Sequence, residues 1–213
     1  MLIDKYKHIS FDLDGTLAHT APEYRYKIVP ATISQLGGSI KDKYHIDRFW
    51  FEHDRDNIIQ ECFNLDPEVF WAVFKKLDTA ESRNPHARAY NDAEPAIRKL
   101  KEFGKTISII TGSPPWIAEM EISKLNGAPY NTQLSLGCSD EIKMKPEPHG
   151  LIYIMKKMSV MANETLYIGN SKEDAMFAKN AGVDFIHIER DEHPFDLKEY
   201  AVATITSLSE LFV

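Results

Sequence analysis

The sequence predicts an α/β fold: a parallel sheet with helices on both faces, interrupted after its first strand by an all-helical insert. Three observations lead there. A short apolar stretch, Ile9-Ser10-Phe11, runs straight into the tight acidic loop Asp12-Leu13-Asp14-Gly15-Thr16, which reads as a buried strand opening at its carboxyl end. The next stretch, roughly residues 20 to 78, carries apolar residues at helical spacing. From residue 92 onward the rhythm changes to strands alternating with amphipathic helices, the signature of crossover connections in a parallel sheet.

Taken in order, Pro22 and Glu23 suit a helix start, and the apolar pattern runs to Leu36 before Gly37-Gly38 stops it. A second helical segment covers about 44 to 63, and a third runs from Asp66-Pro67 to Leu77. Asp66-Pro67-Glu68 supplies a cap, a first-turn proline and an acidic first turn. Ala93 to Phe103 is an amphipathic helix closed by Gly104, and Thr106 to Ile110 is a strand ending at Thr111-Gly112-Ser113. Then follow a helix from Trp116 to Leu125, a strand from Thr132 to Leu136 and a helix over 149 to 158. A strand at Thr165 to Ile168, a helix from Ser171 to Ala181 and strands at Asp184 to Ile188 and Ala203 to Ile205 complete the chain. The expected division is a core of residues 1–17 and 90–213 around an insert of residues 18–89, with 17 to 21 and 79 to 92 as linkers.

Bulk properties narrow the function. With 32 acidic against 25 basic residues and a net charge of -7, the chain lacks the basic balance of a nucleic-acid binder. Lys143-Met144-Lys145 is too short to be a basic stripe. No run of about 18 apolar residues predicts a membrane span. The start lacks the apolar run of a signal peptide. Cys62 and Cys138 have no paired spacing, so reduced thiols in a cytoplasmic protein are expected.

In open parallel sheets, ligands bind beyond the carboxyl ends of the strands. Asp12, Thr111 and Gly169-Asn170 all fall at such ends although they are far apart in sequence. Two carboxylates two residues apart, as Asp12 and Asp14 are, separate in proton affinity and can divide the roles of nucleophile and general acid. The glycine after them lets backbone N–H groups approach a phosphate. A calcium loop opens the same way: Glu23 fits its twelfth position, but Leu17 stands where its glycine should be. Alone, Thr111 would be a helix cap and Lys145 a solvated lysine.

Together these segments resemble the haloacid dehalogenase-like hydrolase superfamily. Phe11-Asp12-Leu13-Asp14-Gly15-Thr16-Leu17 looks like its first motif, and Ile109-Ile110-Thr111-Gly112 is similar to its second. Lys145-Pro146-Glu147-Pro148 resembles the third; Lys143 is a local rival, but only Lys145 directly precedes the Pro-x-Pro. Gly169-Asn170-Ser171-Lys172-Glu173-Asp174 resembles the fourth, with Asn170 where the family usually has aspartate. The insert is similar to the mobile helical cap of the phosphoglycolate phosphatase-like branch, and the core to its Rossmann-like sheet.

The resemblance implies a magnesium-dependent phosphatase acting on a small phosphorylated metabolite through an aspartyl phosphate formed on Asp12. Asp14 is then the acid and base, and its presence argues against the dehalogenase branch. Thr111 and Lys145 hold the phosphoryl oxygens, with Thr16, Gly112 and Ser113 as further substrate contacts. Mg2+ is expected at Asp12, the Asp14 carbonyl, Asn170 and Asp174. A monomer or small homo-oligomer is expected. The alternatives are a sugar phosphomutase of the same superfamily and, because Asn170 brings no charge, a catalytically weak protein that binds phosphorylated ligands. His19 is either a group at the site or a partly exposed linker residue. Phe49, Trp50, Phe51, Phe70, Trp71 and Phe74 read as core of the insert rather than a substrate platform, and Arg25, Lys27, Arg48 and Arg55 as candidates for specificity or as helical charges that simply face water.

Overall fold

The computed structural model describes residues 1–213 other than His53, Cys138, Ser139, Asp140, Asp191, His193 and Pro194. The expectation for Cys138 therefore lies outside the described residues. The chain divides into a core unit, Met1–His19 with Arg88–Val213, and a helical unit, Thr20–Ala87. In chain order the elements are β1 (His8–Phe11), β2 (Ala18–Thr20), α1 (Pro22–Gln35), α2 (Lys43–Phe51), α3 (Arg55–Ile58), α4 (Pro67–Leu77), α5 (Ala80–Arg83) and β3 (Ala87–Ala89). After them come α6 (Ala93–Glu102), β4 (Thr106–Thr111), α7 (Pro115–Ile122), β5 (Thr132–Ser135), α8 (His149–Met158), β6 (Thr165–Gly169), α9 (Lys172–Ala181), β7 (Asp184–Ile188) and β8 (Ala203–Ile205).

Among the described residues, six strands form one sheet in the order β5-β4-β1-β6-β7-β8, each pairing parallel. Strand β1 is central, and the chain builds outward from it first to one side and then to the other, which places a crevice at the carboxyl ends. One face of the sheet packs Ile9, Phe11, Ile107, Ile109, Leu166 and Ile168 with Ala96, Ile97 and Leu100 of α6. The other packs Ile110, Tyr167 and Phe185 with Leu151 and Ile154 of α8 and Phe177 and Ala178 of α9. Burial on both faces explains why β1 is solvent-excluded at every position.

That second face also carries a polar ladder. The ring nitrogens of His8 lie 2.8 Å from Thr106 Oγ1 and 2.9 Å from Ser108 Oγ, and Ser108 Oγ donates to Ser10 Oγ at 2.9 Å. Burial lowers the His8 imidazole from 6.5 to about 4. Between those values the unfolded chain binds a proton that the folded chain refuses. The contribution of a neutral His8 is thus fully present above pH 6.5 and is lost as the pH falls toward 4, about 3 kcal/mol in all. Urea unfolding at pH 7 and pH 5 should show about 2 kcal/mol of that loss, and His8→Asn should remove this part of the slope. An equal slope in both proteins would mean that other groups set the acid sensitivity.

The helical unit is built around Phe49, Phe63, Phe70 and Phe74, with Trp71 half-buried beside them. Asp78 accepts from Arg83 at 2.8 and 2.9 Å and from the Tyr24 hydroxyl at 2.7 Å, which satisfies buried polar groups in that unit. Arg25 pairs with Asp47 at 2.8 Å, Arg48 with Glu52 at 3.0 Å, and Arg55 donates to the Trp50 carbonyl at 3.2 Å; Lys27 is exposed. The stretch expected as one helix over 44 to 63 breaks instead at Asp54, whose φ is 60°, and ends in a π-helical turn, Ile59–Phe63. The linkers expected at 17 to 21 and 79 to 92 hold β2, α5 and β3. Strands β2 and β3 pair as a separate two-stranded sheet, and α5 starts on a capping box of Thr79 and Ser82.

Candidate active site

Three adjacent strands, β4, β1 and β6, deliver their carboxyl ends to one place. Phe11 is level with Ile109 on one side and Ile168 on the other, so Asp12 emerges level with Ile110, one residue before Thr111, and with Gly169. Asp12 continues the ladder briefly, donating its N–H to the Ile168 carbonyl at 2.9 Å. Its side chain is therefore held by sheet geometry rather than by a loop, as a reactive group requires.

Lys145 reaches the same point from the segment before α8. Its Nζ donates to Asp12 Oδ1 at 2.6 Å and to Asp174 Oδ1 at 2.7 Å, with the side chain 7% exposed. The Tyr167 and Phe177 rings lie 5.6 and 5.8 Å from that ammonium. Burial alone would lower the lysine, but Asp12 and Asp174 raise it well above its usual range. Asp12 itself is pushed up to about 7, by burial and then by Asp174, against the pull of Lys145. Two buried carboxylates thus share one ammonium, with the half-buried Asp14 close by.

Asp174 is the third residue of α9 and part of its cap. Ser171 Oγ accepts from the Asp174 N–H at 3.2 Å, while Asp174 Oδ2 accepts from the N–H groups of Asn170 and Ser171 and from Ser171 Oγ. Asp174 Oδ1 takes Lys145 and the Tyr167 hydroxyl at 3.1 Å. With five donors on its two oxygens, Asp174 has no lone pair left facing a metal. Its geometry is that of an anchor for Lys145 and the α9 N-terminus. Gly169 makes this possible, since a Cβ there would stand 2.5 Å from the Asp174 carboxyl carbon.

Asn170 lies against the first loop. Its amide nitrogen would be 2.2 Å from a Cβ on Gly15, whose φ is +80°, so only glycine fits there. Thr16 is buried, and its hydroxyl points to Asn170 Oδ1 at a long 3.5 Å. Thr111 Oγ1 accepts from the Ser113 N–H at 3.0 Å. That bond leaves the Thr111 hydroxyl proton available for donation and occupies the Ser113 amide. Gly112 has the Met144 methyl 3.2 Å from where a Cβ would stand.

The structure therefore gathers Asp12, Asp14, Thr16, Thr111, Lys145, Asn170 and Asp174 in the core unit. It also holds residues that sequence reasoning passed over: Tyr167 beneath Lys145, and Arg190, Tyr90 and Asp92 behind the first loop. Arg190 lies two residues beyond the carboxyl end of β7, a position that could have marked it. His19 lies 21% exposed, with Nδ1 2.7 Å from Glu192 Oε1.

A divalent cation suits the donor set. Asp12 Oδ1 keeps a lone pair beside the one it gives Lys145, the Asn170 oxygen has only its long contact, and negative charge exceeds the one ammonium. Among the described residues no three His, Cys, Asp or Glu side chains converge as a ligand set. Carboxylate, carbonyl and amide oxygens are the donors that a hard divalent cation takes.

The profile of the haloacid dehalogenase-like hydrolases matches residues 9–188. A phosphoglycolate phosphatase of Colwellia psychrerythraea is 27% identical over 201 residues, spanning 87% of this chain and 85% of that protein. A Bacteroides fragilis structure assigned to the haloacid dehalogenase-like hydrolases has a TM-score of 0.79 at 22% identity, over 97% of this chain and 100% of that one. A haloacid dehalogenase-like family hydrolase of Streptococcus pneumoniae also reaches 0.79, at 17% identity over 97% of each chain. With three motifs at adjacent strand ends, a fourth reaching them through Lys145, and a family match over most of its length, the chain belongs to the haloacid dehalogenase-like hydrolases.

Proposed function

We propose that this chain hydrolyses the phosphate monoester of a small metabolite through a phosphoenzyme on Asp12. The observation that carries the reading is the buried Asp12 carboxylate at the end of the central strand, with Lys145 at 2.6 Å and one oxygen unengaged among the described residues. That oxygen attacks phosphorus, and the ester P–O bond breaks. Asp14 gives its proton to the departing alkoxide, then takes a proton from the water that attacks the phosphoenzyme and releases the Asp12 carboxylate. Lys145 and the Thr111 hydroxyl stabilise charge on the phosphoryl oxygens. Mg2+, held by Asp12, the Asp14 carbonyl and Asn170, would offset the phosphate charge. Asp174 acts on this reading by holding Lys145.

The name of the Colwellia relative makes 2-phosphoglycolate the first substrate to try. Phosphate release with magnesium should be measured across phosphoglycolate, sugar phosphates and nucleotides, with sugar phosphates also followed for isomerisation. Release from at least one ester is expected; isomerisation without release would make the chain a mutase, and no turnover of any ester would make it a binding protein. Asn170 adds a quantitative expectation, because it supplies an oxygen without charge where a carboxylate would bind a hard cation better. Magnesium should activate weakly, and Asn170→Asp should lower the half-saturating concentration about tenfold, equivalent to about 1.4 kcal/mol. Equal half-saturation in both proteins would show that the amide is no handicap.

A further inference from the structure

Behind the loop that carries Asp14 lies a cluster that the proposed chemistry leaves unused. The Arg190 guanidinium donates through Nη1 and Nη2 to the two oxygens of Asp92, both at 3.0 Å. Nη2 donates also to the Thr16 carbonyl at 2.8 Å. The same group lies over the Tyr90 ring, 3.9 Å from its centroid. Asp92 is fixed in turn by Ser207 Oγ at 3.0 Å and the Leu208 N–H at 2.9 Å.

Tyr90 grips the loop as well. Its N–H donates to the Leu17 carbonyl at 3.0 Å, and its ring stacks on His19 at 4.6 Å. Its phenol is raised chiefly by burial, with Glu192 and then Asp14 among the charges that add to this, so the Asp14 carboxylate is within electrostatic reach of this stack. The loop from Asp14 to His19 is thus tied down at Thr16, Leu17 and His19, just beyond the proposed acid.

A lysine could not replace this arginine. Two bonds to a carboxylate, a third to a carbonyl and a flat stack on an aromatic ring need a planar fork of donors. The arrangement leaves Arg190 Nε buried with no partner among the described residues. The guanidinium is therefore oriented for Thr16 and Tyr90 rather than for full satisfaction of its own donors.

We infer that Arg190 is a positioning residue for Asp14: anchored on Asp92, it clamps the Thr16 carbonyl and so fixes the turn that aims the Asp14 carboxyl at the leaving group. The inference rests on the proposed role of Asp14 as general acid. Its signature is selectivity for the leaving group, because 4-nitrophenolate departs with little need of a proton whereas an alkoxide does not.

The test is a double-mutant cycle of Arg190→Lys with Asp14→Asn, run on the alkyl phosphate turned over fastest and on 4-nitrophenyl phosphate. Arg190→Lys should lower kcat on the alkyl ester tenfold or more, with KM within threefold, and cost less than threefold on the aryl ester. In the Asp14→Asn background it should cost no more than about twofold, since residues acting as a unit are not additive. Losses that multiply across the cycle would overturn the clamp. So would equal losses on both esters from Arg190→Lys, when Asp14→Asn itself discriminates between them. If Asp14→Asn does not discriminate, the acid assignment is what fails, and non-additivity alone then decides whether Arg190 holds the turn. Asp92→Asn, which loosens Arg190 while leaving it in place, goes through the same cycle should Arg190→Lys fail to fold.

Discussion

Asp12→Asn should remove phosphate release by far more than a hundredfold while the protein stays folded. An amide cannot form the phosphoenzyme, and deleting a nucleophile usually costs orders of magnitude beyond that bound. Stability should be preserved or improve. The Asp12 carboxylate is disfavoured by burial and by Asp174, so its neutral replacement removes a repulsion, and Lys145 keeps Asp174 at 2.7 Å. Sites arranged for reactivity often trade stability in this way. Phosphate release and a thermal melt on the same preparation check both halves. Activity above about one per cent of the parent would contradict the nucleophile assignment.

Lys145→Met should damage both activity and stability. The ammonium at 2.6 Å from Asp12 and 2.7 Å from Asp174 is replaced by a thioether, and two buried carboxylates then face one another uncompensated. Removing one partner of a buried ion pair costs about 3–5 kcal/mol. Turnover should vanish too, because Asp12 becomes harder to ionise and the phosphoryl oxygens lose a cation. Adding Asp174→Asn to Lys145→Met should restore much of the stability and none of the turnover, since it relieves the repulsion without replacing the cation. Urea unfolding of both variants reads this directly. A Lys145→Met protein as stable as the parent would mean that the three groups do not share a buried charge network.

Much of this was legible in the chain. The four inner sheet strands are short runs with nearly every residue buried, and helix caps such as Asp66 in the insert and Ser171 in the core stand out. Composition and period thus agreed on the six strands of the main sheet and the helices that cross between them. Strands β2 and β3 are only three residues each, too few for a period of two to register against the surrounding polar residues. The break at Asp54 escaped because a left-handed aspartate leaves no mark in an apolar pattern. At the site, Asp12, Asp14 and Lys145 stand out because local residue types announce them. Asp174 reads from sequence as an acid near a metal; only its hydrogen bonds reveal an oxygen pair already given to five donors. Arg190, Asp92 and Tyr90 form no motif, and what they do depends on packing between segments as far apart as Thr16 and Arg190, 174 positions along the chain.

The buried ladder of His8, Ser10, Thr106 and Ser108 bears on how the chain finds its alignment. A slip of one residue between β1 and β4 is forbidden by the hydrophobic pattern, which would turn inside out. A slip of two is not, because the same residues would still face the same sides. What distinguishes the native pairing from that near-miss is polar matching: imidazole against two hydroxyls, at 2.8 and 2.9 Å. A two-residue slip would carry Asp12 about 6.6 Å along the strand relative to Thr111, too far for both to meet one phosphoryl group. A few hydroxyls and one ring at the closed end of the sheet thus act as a vernier for the open end.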